Sequence, residues 1–159
     1  MRPALPADHA AIRAVETAAF GRSDEADMVE AARAEGAALV ELVAEAHGEI
    51  VGHILFSRMT VTPARLFAGL APVAVSPSVQ GRGVGDALCR AGIEAVKALG
   101  AEAVVVLGHP DYYPRFGFSA EAARRLASPY AGSPAFMALE LAPGALAAPL
   151  KVDYPAAFG

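Results

Sequence analysis

The stretch LAPVAVSPSVQGRGVGDALCRAGIEAVKALGAEAVVVL, residues 70–107, decides the fold. Residues 70–75, and the run from Leu66 that leads into them, are apolar on both faces, as in a strand covered on both sides. Ser76-Pro77-Ser78 breaks the run, and Gln80 to Gly85 is glycine-rich. An amphipathic helix then begins. Val84, Leu88, Ala91, Ala95, Val96 and Leu99 recur at helical spacing, while Asp86, Arg90, Glu94 and Lys97 take the other face. Gly100 stops the helix, and Ala103–Leu107 is a β-branched run of strand length. Strand, glycine loop, helix and strand make a βαβ unit, whose two strands should be parallel or nearly so.

Working outward, Asp8 precedes an apolar pattern (Ile12, Val15, Ala19, Phe20) that suits a helix ended by Gly21. Ser23 offers a second N-cap, with Asp24, Glu25 and Asp27 near the positive end of the helix dipole and Gly36 as the stop. Runs at 39–46 and 50–59, joined at His47-Gly48-Glu49, read as a β-hairpin. Residues 60–65, with Pro63, read as a loop. Pro110 opens a short helical turn reaching Phe116, and 136–141 is a last strand. The tail, 142–159, carries Pro143, Pro149 and Pro155 without a clear period and is expected to wrap the surface.

The chain has 159 residues, 55% hydrophobic and 19% charged, which fits one globular domain spanning 1–159. A net charge of -4 argues against a protein that grips nucleic acid. Cys89 is the lone cysteine, so no intramolecular disulfide forms, and its place in the helix suits a small buried thiol. The opening Met1-Arg2-Pro3-Ala4-Leu5-Pro6 lacks the apolar run of a signal peptide. The longest apolar stretch, 66–75, is far short of the ~20 residues a spanning helix needs. A cytoplasmic protein without a membrane partner is expected, and the alanine content is compatible with a homodimer.

Gln80-Gly81-Arg82-Gly83-Val84-Gly85 lies between a strand and a helix N-terminus. Alternating glycines let backbone approach a ligand without Cβ interference. The free amides and dipole of the helix's first turn then favour an anion such as a pyrophosphate, and Arg82 adds a full charge. The loop also reads as a plain structural turn. A P-loop needs Gly-Lys followed by Ser or Thr, and Asp86 follows Gly85 instead. The dinucleotide fingerprint needs its third glycine where Asp86 or Leu88 stands. ATP and NAD are both disfavoured.

Gln80-x-x-Gly83-x-Gly85, opening a helix after an apolar strand, resembles the Gln/Arg-x-x-Gly-x-Gly/Ala signature of the GNAT (GCN5-related) N-acetyltransferase family. Tyr112-Tyr113-Pro114-Arg115-Phe116-Gly117-Phe118 is similar to that family's Tyr-x-x-x-Gly-Phe segment, and residues 45–54 to its central hairpin. The likeness covers roughly residues 5–140 and points to an uncharacterised bacterial branch. It implies an α/β (α+β) fold. A mixed, mostly antiparallel twisted sheet would hold the parallel βαβ core, flanked by helices, with the cofactor core near 66–118. Relatives open with a longer first strand, so only a stub is expected at Met1-Arg2-Pro3.

The resemblance further implies acetyl-CoA as cosubstrate, no metal, and a small-molecule or peptide amine as acceptor. The amides of Gly81, Arg82, Gly83, Val84 and Gly85, after Gln80, would hold the pyrophosphate, with that of Asp86 as a further candidate donor. The backbone of Val73, Ala74 and Val75 would pair with the pantetheine arm, and Pro72, lacking an N–H, suits the family's local splay of this strand. Tyr113 matches the tyrosine facing the sulfur and would act as general acid; otherwise it is an aromatic packing residue. Tyr112 would be core or substrate wall. No acid or histidine lies in residues 70–75 to serve as base. His109, at the end of the next strand, is the base candidate, with Glu41, Glu45, His53 and Asp111 weaker ones. Phe116, Phe118, Ile54 and Phe56 read as core. The acidic run Asp24, Glu25, Asp27, Glu30 reads as a solvated helix face, with attraction for a cationic amine as the other reading. A non-catalytic CoA-binding or sensing module remains the alternative function.

Overall fold

The computed structural model describes residues 1–159. In chain order the regular elements are β1 (Arg2–Pro3), α1 (His9–Phe20), α2 (Asp24–Ala34), β2 (Ala38–Ala46), β3 (Glu49–Arg58), β4 (Thr60–Thr62), β5 (Phe67–Val75), α3 (Val84–Ala98), β6 (Ala103–Leu107), β7 (Leu126–Ala127), β8 (Phe136–Glu140) and β9 (Leu150–Asp153). The main sheet runs β1-β2-β3-β5-β6-β8. Every neighbouring pair is antiparallel except β5 and β6, the two strands of the βαβ unit, which are parallel. No helix is long and apolar enough to cross a membrane.

Local chemistry sets the element ends. Gly21 follows α1 with φ +70°, a left-handed cap that glycine takes without Cβ strain. The β2–β3 hairpin turns on His47 and Gly48, at φ +52° and +76°, the geometry of a two-residue hairpin turn. β1 is a two-residue stub pairing Arg2 with Val43 and Pro3 with Leu42. Asp8 holds it: its carboxylate takes hydrogen bonds from Arg2 Nη1 at 2.6 Å and the Leu5 amide at 2.7 Å. The Arg2 bond first, and the Leu5 amide next, hold the Asp8 carboxyl down at about 2.

The sheet alternation divides the core. One face packs Ile54, Phe56, Leu70, Val104 and Val106 against Leu88, Cys89, Ile93 and Val96 of α3. On the other face, Val43 and Leu55 meet Ile12, Val29 and Ala32 of α1 and α2. Farther along that same face, Phe67, Val105 and Ala138 are covered by Leu126, Leu150 and Val152 of a small sheet, β4-β9-β7. Phe118 is buried with the first cluster and Phe116 packs partly buried against it.

Four sequence expectations need correction. Thr60–Thr62 is not loop: it pairs with β9. The tail does more than wrap the surface, because β9 is the middle strand of the small sheet and buries Leu150 and Val152. Its pairings to β4 and β7 lie far upstream in sequence and leave no local period. Leu99 is 56% exposed, just past α3, where the chain turns away toward Gly100. The turn before Phe116 also starts later, as a 3-10 segment Tyr113–Phe116 with Pro114 near its start.

At Gly92 the helix α3 packs directly on the Phe56 ring of β3. A Cβ there would lie 2.1 Å from Cε1 of Phe56. Gly92→Ala should therefore destabilise by about 1–3 kcal/mol despite the better helix propensity of alanine. A thermal melt should read this as a drop of roughly 3–10 °C, and an unchanged melt would contradict the packing described.

Candidate functional site

The β5–β6 ladder ends early. Phe67 to Leu70 pair with Ala103 to Val106, and no strand flanks that edge of β5 from Ala71 to Val75. Pro72 has no N–H to give a ladder. The opposite edge stays paired, with Val73 beside Ile54, Ala74 beside His53 and Val75 beside Gly52. A cleft of roughly 650 Å³ lies where the strands part. Its walls include Leu70, Ala71, Pro72, Val73 and Val75 on one side, Leu107, Gly108, His109, Tyr112 and Tyr113 on another, and Phe20, Glu25 and Met28 from the first two helices. Gln80 and Gly85 close its loop end.

At that end Gly81 and Gly83 take φ +78° and +82°, with no atom within 4 Å of where a Cβ would stand. The amides of Gly81 to Asp86 donate to no backbone carbonyl; Ala87, bonded to the Gly83 oxygen, starts the ladder. The Gln80 side chain donates through Nε2 to the Val75 oxygen at 3.0 Å and ties the loop to β5. These unpaired amides before a fifteen-residue helix suit an extended anion. Arg82 is exposed and lines neither the cleft nor the loop hollow, whereas Arg115 lines the hollow. Asp86, which would oppose an anion, is engaged elsewhere: Tyr112 donates its hydroxyl to Oδ1 at 2.7 Å, and Arg115 lies 3.5 Å from Oδ2. The Tyr112 bond, aided by Arg115, holds the Asp86 carboxyl below its usual range. Tyr112 is thus cleft wall and a strut to α3.

Tyr113 is 8% exposed and packs edge-on to Tyr112 and Phe118. Its ring covers Gly108, where a Cβ would stand 2.4 Å from the ring. The His109 carbonyl receives the amides of both Tyr112 and Tyr113, at 3.1 and 3.3 Å, and so fixes the turn that aims the phenols. Burial, the largest influence, pushes the Tyr113 phenol above its usual value. The His109 side chain is exposed at the cleft wall. Ala74 is buried behind the cleft, and only its neighbours Val73 and Val75 line it. Cys89 lies in the core, and burial pushes its thiol up to about 12.

The Acetyltransferase (GNAT) family model matches residues 9–118. The chain belongs to the GNAT acetyltransferase family. Among its relatives is YjhQ of Escherichia coli K12, an uncharacterised N-acetyltransferase, 47% identical over 116 residues. That alignment takes in 70% of this chain and 64% of YjhQ, so the chain spans just under two thirds of that relative's length. The structure of E. coli YhbS, a GNAT family N-acetyltransferase in complex with CoA, superposes with a TM-score of 0.91 at 33% identity, covering 99% of this chain and 89% of that one. A GNAT family acetyltransferase of Brucella melitensis in complex with acetyl-CoA gives 0.84 at 36% identity, covering 99% and 96%.

For this GNAT chain the weaker base candidates fall outside the cleft. Glu45 lies near Arg2, with a 3.5 Å contact, and Asp111 is exposed. His53 and Glu41 belong to a buried network the sequence reading missed. His53, wholly buried, bonds Glu16 through Nδ1 at 2.6 Å and Glu41 through Nε2 at 2.8 Å, and Arg33 pairs with Glu41. Of the acidic run, Asp24, Asp27 and Glu30 are exposed, but Glu25 turns into the cleft wall. Arg22 Nε bonds it at 2.9 Å, and that bond holds its carboxyl below the usual range. Both Glu16 and Glu25 sit on the buried stripes of their helices, beside Ile12 and Val29. A charge inside an apolar stripe was the readable signal.

The network titrates in a definite direction. Burial, the largest influence on His53, favours the neutral ring, but the bonds to Glu16 and Glu41 outweigh it and raise the pKa. Burial likewise lifts Glu16, while Glu41, despite burial, is held at about 2 by His53 and Arg33. A raised histidine stabilises fully below its unfolded value of ~6.5 and loses that contribution as pH rises through the folded value. Glu41 contributes above ~4.5 and loses it toward pH 2. His53→Gln should therefore cost most near pH 5–6, on the order of 3–5 kcal/mol for a broken buried pair. The gap to wild type in urea midpoints should narrow on the alkaline side; a gap constant from pH 5 to 9 would refute the charged network.

Proposed function

We propose that this chain is an N-acetyltransferase that moves an acetyl group from acetyl-CoA to an amine by direct attack. The observation that carries this reading is a cleft along the free edge of β5 that reaches from Gln80 and Gly85 to Tyr113. The hollow beside the glycine loop's unpaired amides adjoins it, sharing Val75, Gln80, Gly85 and Tyr112. The CoA and acetyl-CoA complexes of the two similar structures support it. Residues 1–159 are read as one domain, and the lone buried thiol fits a cytoplasmic setting.

In this reading the amides of Gly81, Arg82, Gly83, Val84 and Gly85 hold the pyrophosphate, and Arg115 adds charge beside them. The free edge of β5 at Val73, Ala74 and Val75 replaces its missing ladder with the pantetheine amides. A backbone N–H there faces the carbonyl oxygen where charge builds. Holding amine and thioester in line removes much of the entropic barrier. The amine nitrogen bonds to the acyl carbon and the carbon–sulfur bond breaks. His109 takes the amine's proton and Tyr113 gives one to the leaving sulfur. Burial keeps Tyr113 protonated, and the same apolar wall raises the proton affinity of a thiolate beside it.

Two measurements test this. Acetyl-CoA and CoA at about a hundred times their dissociation constants should raise the melting point by roughly 5–10 °C, and NAD should not. Tyr113→Phe should cut turnover by about a hundredfold or more while keeping that shift. Full turnover in the variant removes Tyr113 from the acid role. A shift with CoA but no transfer to any amine turns the reading to a binding module.

A further inference from the structure

The second face of the main sheet has two separate coverings, α1 and α2 over β2 and β3, and the small sheet over β6 and β8. A seam is left beside β5. It contains an alcove of roughly 190 Å³ lined only by Met28, Ala71, Leu107, Tyr130, Tyr154 and Phe158. Three of these, Met28, Ala71 and Leu107, also line the catalytic cleft, so the alcove opens off the cleft at the end away from the glycine loop. Its outer wall is an edge-to-face chain, Tyr130 to Tyr154 at 5.9 Å and Tyr154 to Phe158 at 5.7 Å. The turn bearing Phe158 is anchored on α2, with the Ala157 amide 3.4 Å from Glu35.

We propose that this alcove is a specificity subsite for an apolar group, an aryl ring or short alkyl chain, carried by the acceptor amine. Resting on the function above, this names the acceptor's chemical class. A cavity of about 150 Å³ with apolar walls holds a benzene-sized ring, and this one is slightly larger. An acyl chain longer than acetyl is the competing occupant. Charge favours the acceptor: Glu25, one helical turn before Met28, is the only carboxylate in the cleft lining, and Met28 lines both the cleft and the alcove. Glu25 itself is 10% exposed and Arg22, 59% exposed, holds both of its oxygens, so an ammonium group in the cleft would share this carboxylate with the guanidinium or displace it toward solvent. A cation with an apolar body meets both features, whereas an acyl chain meets only the second.

The test is calorimetric binding to the CoA-loaded protein, so that it does not depend on turnover. 2-Phenylethylamine should bind at least about tenfold tighter than ethylamine, as burial of the ring predicts. Tyr130→Ala and Phe158→Ala, each checked for fold by its CoA-induced melting shift, should erase most of that ratio. Equal binding of the two amines, or a ratio that survives both substitutions, overturns the proposal. So does hexanoyl-CoA binding tighter than acetyl-CoA in wild type but not in the variants, which would assign the alcove to the acyl chain. Preference for 2-phenylethylamine without acetyl transfer would sink the enzymatic reading and leave the subsite standing.

Discussion

Beside β5, the ladder to β6 stops at Leu70, and the residues that follow have a partner on one edge only. Backbone amides and carbonyls left unpaired in an apolar setting cost free energy, so such an opening persists only where something else meets those groups. Pro72 removes one donor outright, and Ala71, Val73 and Val75 line the cleft. The same parting separates Leu107 from Ala71 and makes the space into which Tyr113 faces. Once the two strands diverge, the cleft walls follow from the ordinary alternation of side chains along them.

Charges around the glycine loop are arranged to keep its amides free for an anion. Asp86 sits in the first turn of α3, where a carboxylate is normally welcome, yet it would compete with a ligand phosphate. The Tyr112 hydroxyl and Arg115 engage it from the side. The arginine in the loop itself, Arg82, contributes less to the hollow than one from the tyrosine turn. Beneath α1 and α2, the Glu16–His53–Glu41–Arg33 network replaces apolar packing with a directional set of bonds. Such a set fixes the helices over the sheet only in one arrangement.

The βαβ unit was legible because its signals are local: an apolar run, a glycine loop at a helix start and a helical period follow one another in the chain. The hairpin was legible for the same reason. What escaped was decided at long range. Leu150–Asp153 alternates apolar and polar, but four residues between prolines do not announce a central strand, and its partner Thr60–Thr62 lies in a separate part of the chain. On the cleft, the glycine loop and the tyrosine turn could be placed from sequence, whereas Phe20, Glu25 and Met28 arrive through the packing of α1 and α2 over the sheet. His53 and Glu41 drew notice as isolated titratable residues. Their mutual contact, and Glu16 between helix and strand, depended on a register no single segment contains.

The placement of the aromatic residues has a spectroscopic consequence. The chain has no tryptophan and four tyrosines. Tyr112 and Tyr113 line the cleft, and Tyr130 and Tyr154 line the alcove beside it. Near-ultraviolet absorbance, circular dichroism and intrinsic emission of the unlabelled protein therefore arise chiefly from the walls of these two spaces, and events there can be followed optically without a reporter group.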